Sequence, residues 1–221
     1  MNSRGIALIT GLALLAAVSL LAILTASGTL LQRNMATNFQ QNSLALESAS
    51  IASVYARAWL FSRHASTREP GCLNQCILPI GIRNAGELPP YPEYEGYGWW
   101  QSHGYTTGFD PEAARVPDSN RHTNNSAFWL IEEIHFEPVS VEISTDELNL
   151  NPATGIGYYR IFSRGEGRSP NSIAVVESIV ARPWGGEFDS GNFPPTGPQA
   201  DFCHQFDSDT DCGVLSWRQR R

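Results

Sequence analysis

The chain has 221 residues, of which 17% are charged, and a formal net charge of −7 with a pI near 5.2. Its 15 Lys and Arg residues are scattered, so the concentrated positive surface that nucleic acid requires is absent and no nucleic-acid partner is expected. Allowing about 30 residues for a membrane segment and about 30 for a helical stalk leaves roughly 155, enough for one globular head.

Residues 2–31 read NSRGIALITGLALLAAVSLLAILTASGTLL, and from Ile6 to Leu31 there is no Asp, Glu, Lys, Arg or His. About 20 apolar residues suffice to cross a bilayer as a helix, so residues 6–31 are expected to be a transmembrane span. Arg4 is the only charge ahead of it, and positive flanks stay cytoplasmic, which puts the head across the inner membrane in the periplasm. An ordinary secretory peptide ends its shorter apolar region in a small-residue cut. Here the small residue, Gly5, precedes the apolar run, so cleavage between Gly5 and Ile6 would leave the helix on the mature protein. The alternative is an uncleaved signal anchor.

Residues 32–62 turn polar but keep helical spacing, with Leu44, Ser48, Ile51, Tyr55 and Trp59 recurring every three or four positions, and no proline occurs before Pro70. One helix of about 55 residues, near 80 Å at 1.5 Å per residue, is predicted. Gly11 and Gly28 lie within it. Glycine costs up to about 1 kcal/mol in a helix interior, but in lipid it permits close helix contact. Gly28 is also where local unwinding is expected first.

Residues 63–126 are rich in glycine and proline, so long regular elements are not expected there. Within them PPYPEYEGYGWWQSHGYTTGF carries Tyr91, Tyr94, Tyr97, Trp99, Trp100, Tyr105 and Phe109. Such density fits a loop packed on the sheet; it also fits a partner-contact surface centred on Tyr97, Trp99 and Trp100, since aromatics are enriched at interface hot spots.

Strand patterns begin at Ala127. They are AFWLIEEIHF, VSVEI, YYRIFSRG and SIAVVESIVARP, the last two joined by the turn-forming GEGRSPNS. Residues 127–183 therefore read as an antiparallel sheet of about four strands, one face lying on the long helix: an α+β head. The tail, 184–221, is expected to be irregular and held by a disulfide.

A periplasmic head permits disulfides. Four cysteines allow three pairings, of which the two local ones, Cys72 with Cys76 and Cys203 with Cys212, are favoured. Asp207, Asp209 and Asp211 alternate between the second pair; hard oxygen ligands so spaced resemble the start of a calcium loop, though the glycine, Gly213, comes one place late for an EF-hand. The competing reading is a solvated acidic turn with no cofactor. No GxSxG, HExxH or phosphate loop occurs, and the five histidines lack ligand spacing, so no enzymatic function is expected. Glu132 and Glu133 are adjacent on a strand and point to opposite faces, one toward solvent; Glu47 is expected to salt-bridge the head.

The short basic leader ending in Gly5 and followed directly by the apolar helix resembles a class III (type IV prepilin) signal. With QNSLALESASIAS on the helix, AFWLIEEI, and YYRIFSRGEGRSPNSIAVVESIVARP, the chain resembles the PilX-type minor pilins of type IV pili. The resemblance implies a pilin-like fold and cleavage after Gly5 by a prepilin peptidase, which then methylates Ile6. It further implies side-to-side packing of residues 6–31 with other minor pilins and the major pilin, and a place on an extracellular pilus supporting a tip adhesin. Many pilins carry glutamate at the fifth mature position, here Thr10; a subunit lacking that carboxylate suits priming or the filament tip. Two other functions compete: a membrane-anchored periplasmic binding module, and a type II secretion pseudopilin.

Overall fold

The computed structural model describes residues 3–63, 68, 76–108, 110–111, 127–138, 155–169, 171–184, 203 and 211–220. It divides into two units, Met1–Gln41 and Asn42–Arg221. Helix α1 runs unbroken over Ser3–Phe61, through Gly28, where unwinding was expected.

In the first unit α1 is long and apolar enough to cross a membrane. Every residue of known burial from 10 to 40 is exposed. Thr25 donates to the Leu21 and Ala22 carbonyls and Thr37 to that of Arg33, so these hydroxyls are satisfied on the helix itself.

The second unit is built on a mixed sheet of six strands: β1 (Ile82–Arg83), β2 (Tyr105–Thr106), β3 (Phe128–Pro138), β4 (Gly155–Glu166), β5 (Ile173–Trp184) and β6 (Gly213–Arg220). The order is β1-β3-β4-β5-β6, with β2 also beside β3; β1 runs parallel to β3 and every other pair is antiparallel. Three of the four expected strands are β3, β4 and β5. The fourth, VSVEI at 139–143, lies outside the described residues.

Two features correct the expectation of about four antiparallel strands and an irregular tail. The proline-rich region supplies β1 and β2, two residues each, because its backbone can pair only between its turns. The tail supplies β6, which starts at Gly213, whose φ of 97° is readily adopted only by glycine. The turn joining β4 to β5 closes with Gly167 N–H donating to Ser172 O at 2.8 Å.

One sheet face packs on α1. Ala52, Ala56, Trp59 and Leu60 meet Trp129, Ile131, Tyr159, Ile161, Val180 and Trp184, while Ala45 and Ala49 meet Ala174 and Val176. Ala45, Ala49, Ala52 and Ala56 are all 0% exposed and recur at three- and four-residue steps, forming one small-residue stripe. Small side chains bring the helix close; the large ones at its C-terminal end, Trp59 and Leu60, each contribute on the order of 1.5–3 kcal/mol by burial.

The opposite face carries a second cluster, Leu88, Trp100, Phe128, Leu130, Phe162 and Val175. The aromatic loop lies there, with a 3-10 turn at Pro92–Tyr94 and helix α2 at Tyr97–His103.

Candidate functional site

Glu132 and Glu133 do point to opposite faces, but neither reaches solvent: they are 0% and 7% exposed. On the loop side Glu132 accepts hydrogen bonds from the Gly86 and Leu88 amides, at 2.8 and 3.4 Å, and pairs with Arg160. On the helix side Glu133 pairs with Arg68 at 2.8 Å and accepts the Tyr159 hydroxyl at 2.7 Å. The Tyr159 oxygen in turn accepts from Trp184 Nε1 at 2.6 Å. Buried carboxylates persist only when paired and hydrogen-bonded, and each of these is held by an arginine distant in sequence. Burial, reinforced by the Glu133 charge, holds the Tyr159 phenol well above its ordinary pKa. Arg68 also lies 3.5 Å over the Phe136 ring, and a bulge follows Glu133. The two glutamates thus fix two connecting segments to opposite faces of one strand, which is structural work.

A second anchor stands at the end of α1. Trp59 Nε1 donates to Asp110 Oδ1 at 2.9 Å, and Arg63 lies 3.5 Å from the same oxygen and 4.7 Å over the Trp59 ring. Neighbouring Tyr55 has its pKa raised to about 12, chiefly by burial and then by Asp110.

The aromatic loop splits into a packed part and a presented part. Trp100 is 0% exposed and donates through Nε1 to Pro92 O at 3.0 Å; of the three partner-contact candidates it belongs to the core, a correction that follows from its place opposite Phe128 and Leu130. Trp99 is half-buried and stacks on His103 at 4.6 Å. Tyr97 is exposed, edge-on to Phe128 with Arg164 over its ring. Tyr91 and Tyr94, at 57% and 76% exposure, are the most presented of the loop's described rings. The loop is tied down by Arg220 of β6, which donates to Pro90 O and pairs with Glu93 and Glu177.

Other sequence candidates separate. Gly5, Ile6, Thr10, Gly11 and Gly28 all lie on α1; a Cβ built at Gly11 or Gly28 would meet nothing within 4 Å. Cys203 and Cys212 form a disulfide, and Cys76 is buried and disulfide-bonded, while Cys72 lies outside the described residues. Asp207 and Asp209 also lie outside them. Asp211 is exposed and accepts the Tyr158 hydroxyl at 3.1 Å, which also approaches Glu137 at 3.4 Å. Among the described residues no three His, Cys, Asp or Glu side chains form a metal-holding group. Glu47 is exposed and has no ion pair among the described residues, against the salt bridge expected of it, because the face of α1 that packs on the sheet is the alanine stripe.

Sequence reasoning missed Arg68, Arg160, Tyr159 and Asp110 as anchors. The available signal was the pair of carboxylates inside an otherwise apolar strand, which demands cationic partners from elsewhere. Compared with known protein families, characterised proteins and solved structures, the chain matches none.

Proposed function

We propose that this chain is a non-enzymatic minor pilin, anchored in the inner membrane by α1, cleaved after Gly5 by a prepilin peptidase and methylated at Ile6. It joins other minor pilins in a complex that primes a type IV pilus and stays near its tip, above the major pilin and in support of a tip adhesin. The observation that carries this reading is the division of labour along one helix. Every residue of known burial from 10 to 40 is exposed and α1 includes a stretch apolar enough for a bilayer or a filament core, while from Ala45 on it packs a sheet through a stripe of alanines. A filament subunit needs both halves, one for its neighbours and one for its own head. Thr10, where many pilins place glutamate, supports the tip position.

The test is Gly5→Ala. A prepilin loses processing and surface filaments are reduced, while a signal anchor is unaffected in both.

A second reading, a membrane-anchored periplasmic binding module, is favoured by the exposure of Tyr91, Tyr94 and Tyr97. It requires no processing, so the same substitution separates the two. Calcium at Asp207, Asp209 and Asp211 belongs to neither reading by necessity; loss of a calcium-induced stabilisation in Asp209→Asn would assign it.

A further inference from the structure

We infer that the outer edge of β6 is a strand-addition site for an extended, acidic segment of another polypeptide chain. Strand β6 closes the sheet order, pairing with β5 on one side and, among the described residues, with nothing on the other. An eight-residue edge with its outward N–H and C=O groups unpaired is a template for a further strand. Unused edges are blunted by shortness, proline, cover, a bulge or edge charges; β6 carries a bulge only near its start and, in Arg218, a charge that an acidic strand would match. The β6 edge has no proline, and six of its eight residues are exposed, among them Val214, Leu215 and Trp217 at 41%, 48% and 52%.

The side chains specify the occupant. Trp217 pairs with Ser178, whose hydroxyl meets Ser53 of α1 at 3.4 Å, so Trp217 stands on the helix face. Arg218 pairs with Glu177 on the opposite face and keeps its side chain 64% exposed, whereas Glu177 is only 5% exposed. An arriving strand therefore meets an apolar ring on one face and, on the other, a guanidinium whose Nε is held by Glu177 at 2.6 Å and whose side chain is otherwise largely exposed. No acidic residue occurs from Gly213 to Arg221. Charge complementarity selects a partner strand that alternates acidic with apolar residues, since opposite charges and aromatic pairs directly across two strands stabilise their pairing. A second copy of β6 would instead bring arginines to arginines. The single-residue bulge at Leu215, between the Ile179–Ser216 and Val180–Val214 pairs, leaves Ser216–Arg220 as the regular part of the template. This inference concerns the head alone and holds whether the chain is a filament subunit or a tethered module.

The experiment is hydrogen–deuterium exchange on the full chain in detergent micelles, with two synthetic eight-residue peptides, one alternating valine with glutamate and the other valine with lysine. The glutamate peptide is expected to slow exchange of the outward β6 amides at least tenfold without changing those of α1, and the lysine peptide to leave them unchanged. Arg218→Gln, its folding checked by unchanged β5 protection, is expected to weaken the glutamate peptide by about three- to fivefold. No protection by the glutamate peptide, or equal protection by both, overturns the inference. Protection that rises with protein concentration in the absence of peptide also overturns it, and assigns the edge to a second copy instead.

Discussion

Gly165 of β4 lies directly under Ala45 of α1. A Cβ at Gly165 would overlap the Ala45 carbonyl oxygen and the Ala49 nitrogen and stand 2.9 Å from the Ser48 carbonyl carbon. The obstacle is helix backbone, which cannot swing aside as a side chain would. Glycine here and alanine at 45 and 49 are therefore two halves of one close contact, and they set how near the helix approaches the sheet.

Gly165→Ala is accordingly expected to destabilise the head by about 3 kcal/mol, the upper end of the usual cost of overpacking. Ala49→Gly, which adds no atoms, should cost about 2 kcal/mol, the helix-propensity difference of about 1 plus about 0.8 for the buried methyl it removes. Urea unfolding of the two variants in detergent, followed by near-ultraviolet circular dichroism, compares them.

Removing one partner of the buried Arg68–Glu133 pair takes from the other the opposite charge that sits 2.8 Å away. Glu133→Gln is expected to cost about 3–5 kcal/mol, and the additional change Arg68→Met should recover part of it. A double-mutant cycle reads the coupling. An additive result would mean that the pair does not act as one unit.

Tyr55 and Tyr159 should each lower stability in alkaline solution. Tyr55 has a folded pKa of about 12 against an ordinary 10, with burial the main cause, and Tyr159 is raised in the same sense, again chiefly by burial. Their contribution is complete below pH 10, where both states keep the proton. It is lost as pH rises toward 12, because the unfolded chain ionises first. Buried Arg182, whose pKa is lowered chiefly by burial, works in the opposite direction at high pH. The informative comparison is therefore wild type against Tyr55→Phe, whose unfolding free energy should decline less steeply above pH 10.

The Cys203–Cys212 bond spans a sequence separation of 9 and is followed at once by Gly213, the first residue of β6. Chain-entropy arguments give a loop of this size about 2.5 kcal/mol. Cys203→Ser with Cys212→Ser should lose about that much and raise amide exchange in β6 more than in β4. Equal loosening of both strands would show that the bond stabilises the head without specially holding its edge.

The parts of the fold that were legible in the sequence are those governed by local pattern. The absence of charge from Ile6 to Leu31 and the later three- and four-residue spacing give α1, and branched and aromatic runs give β3, β4 and β5. What sequence concealed depends on distant partners. GVLSWRQR has no clean alternation and sits among glycines, prolines and a disulfide; it becomes a strand because β5 offers it an edge, as strand preference depends on neighbours. The burial of both Glu132 and Glu133 needed Arg160 and Arg68, 28 and 65 positions away. The aromatic loop looked like one surface, yet Trp100 went into the core while Tyr91 and Tyr94 stayed out, a division set by which ring packs into the cluster of Leu88, Leu130 and Phe162.

The most direct test of the filament account is the N-terminal mass of the protein recovered from membranes and from sheared surface filaments. The account predicts a terminus at Ile6, methylated, present at low abundance in the filaments. An intact Met1 found only in membranes would contradict it and leave a tethered head whose tyrosines and β6 edge remain to be matched with a ligand.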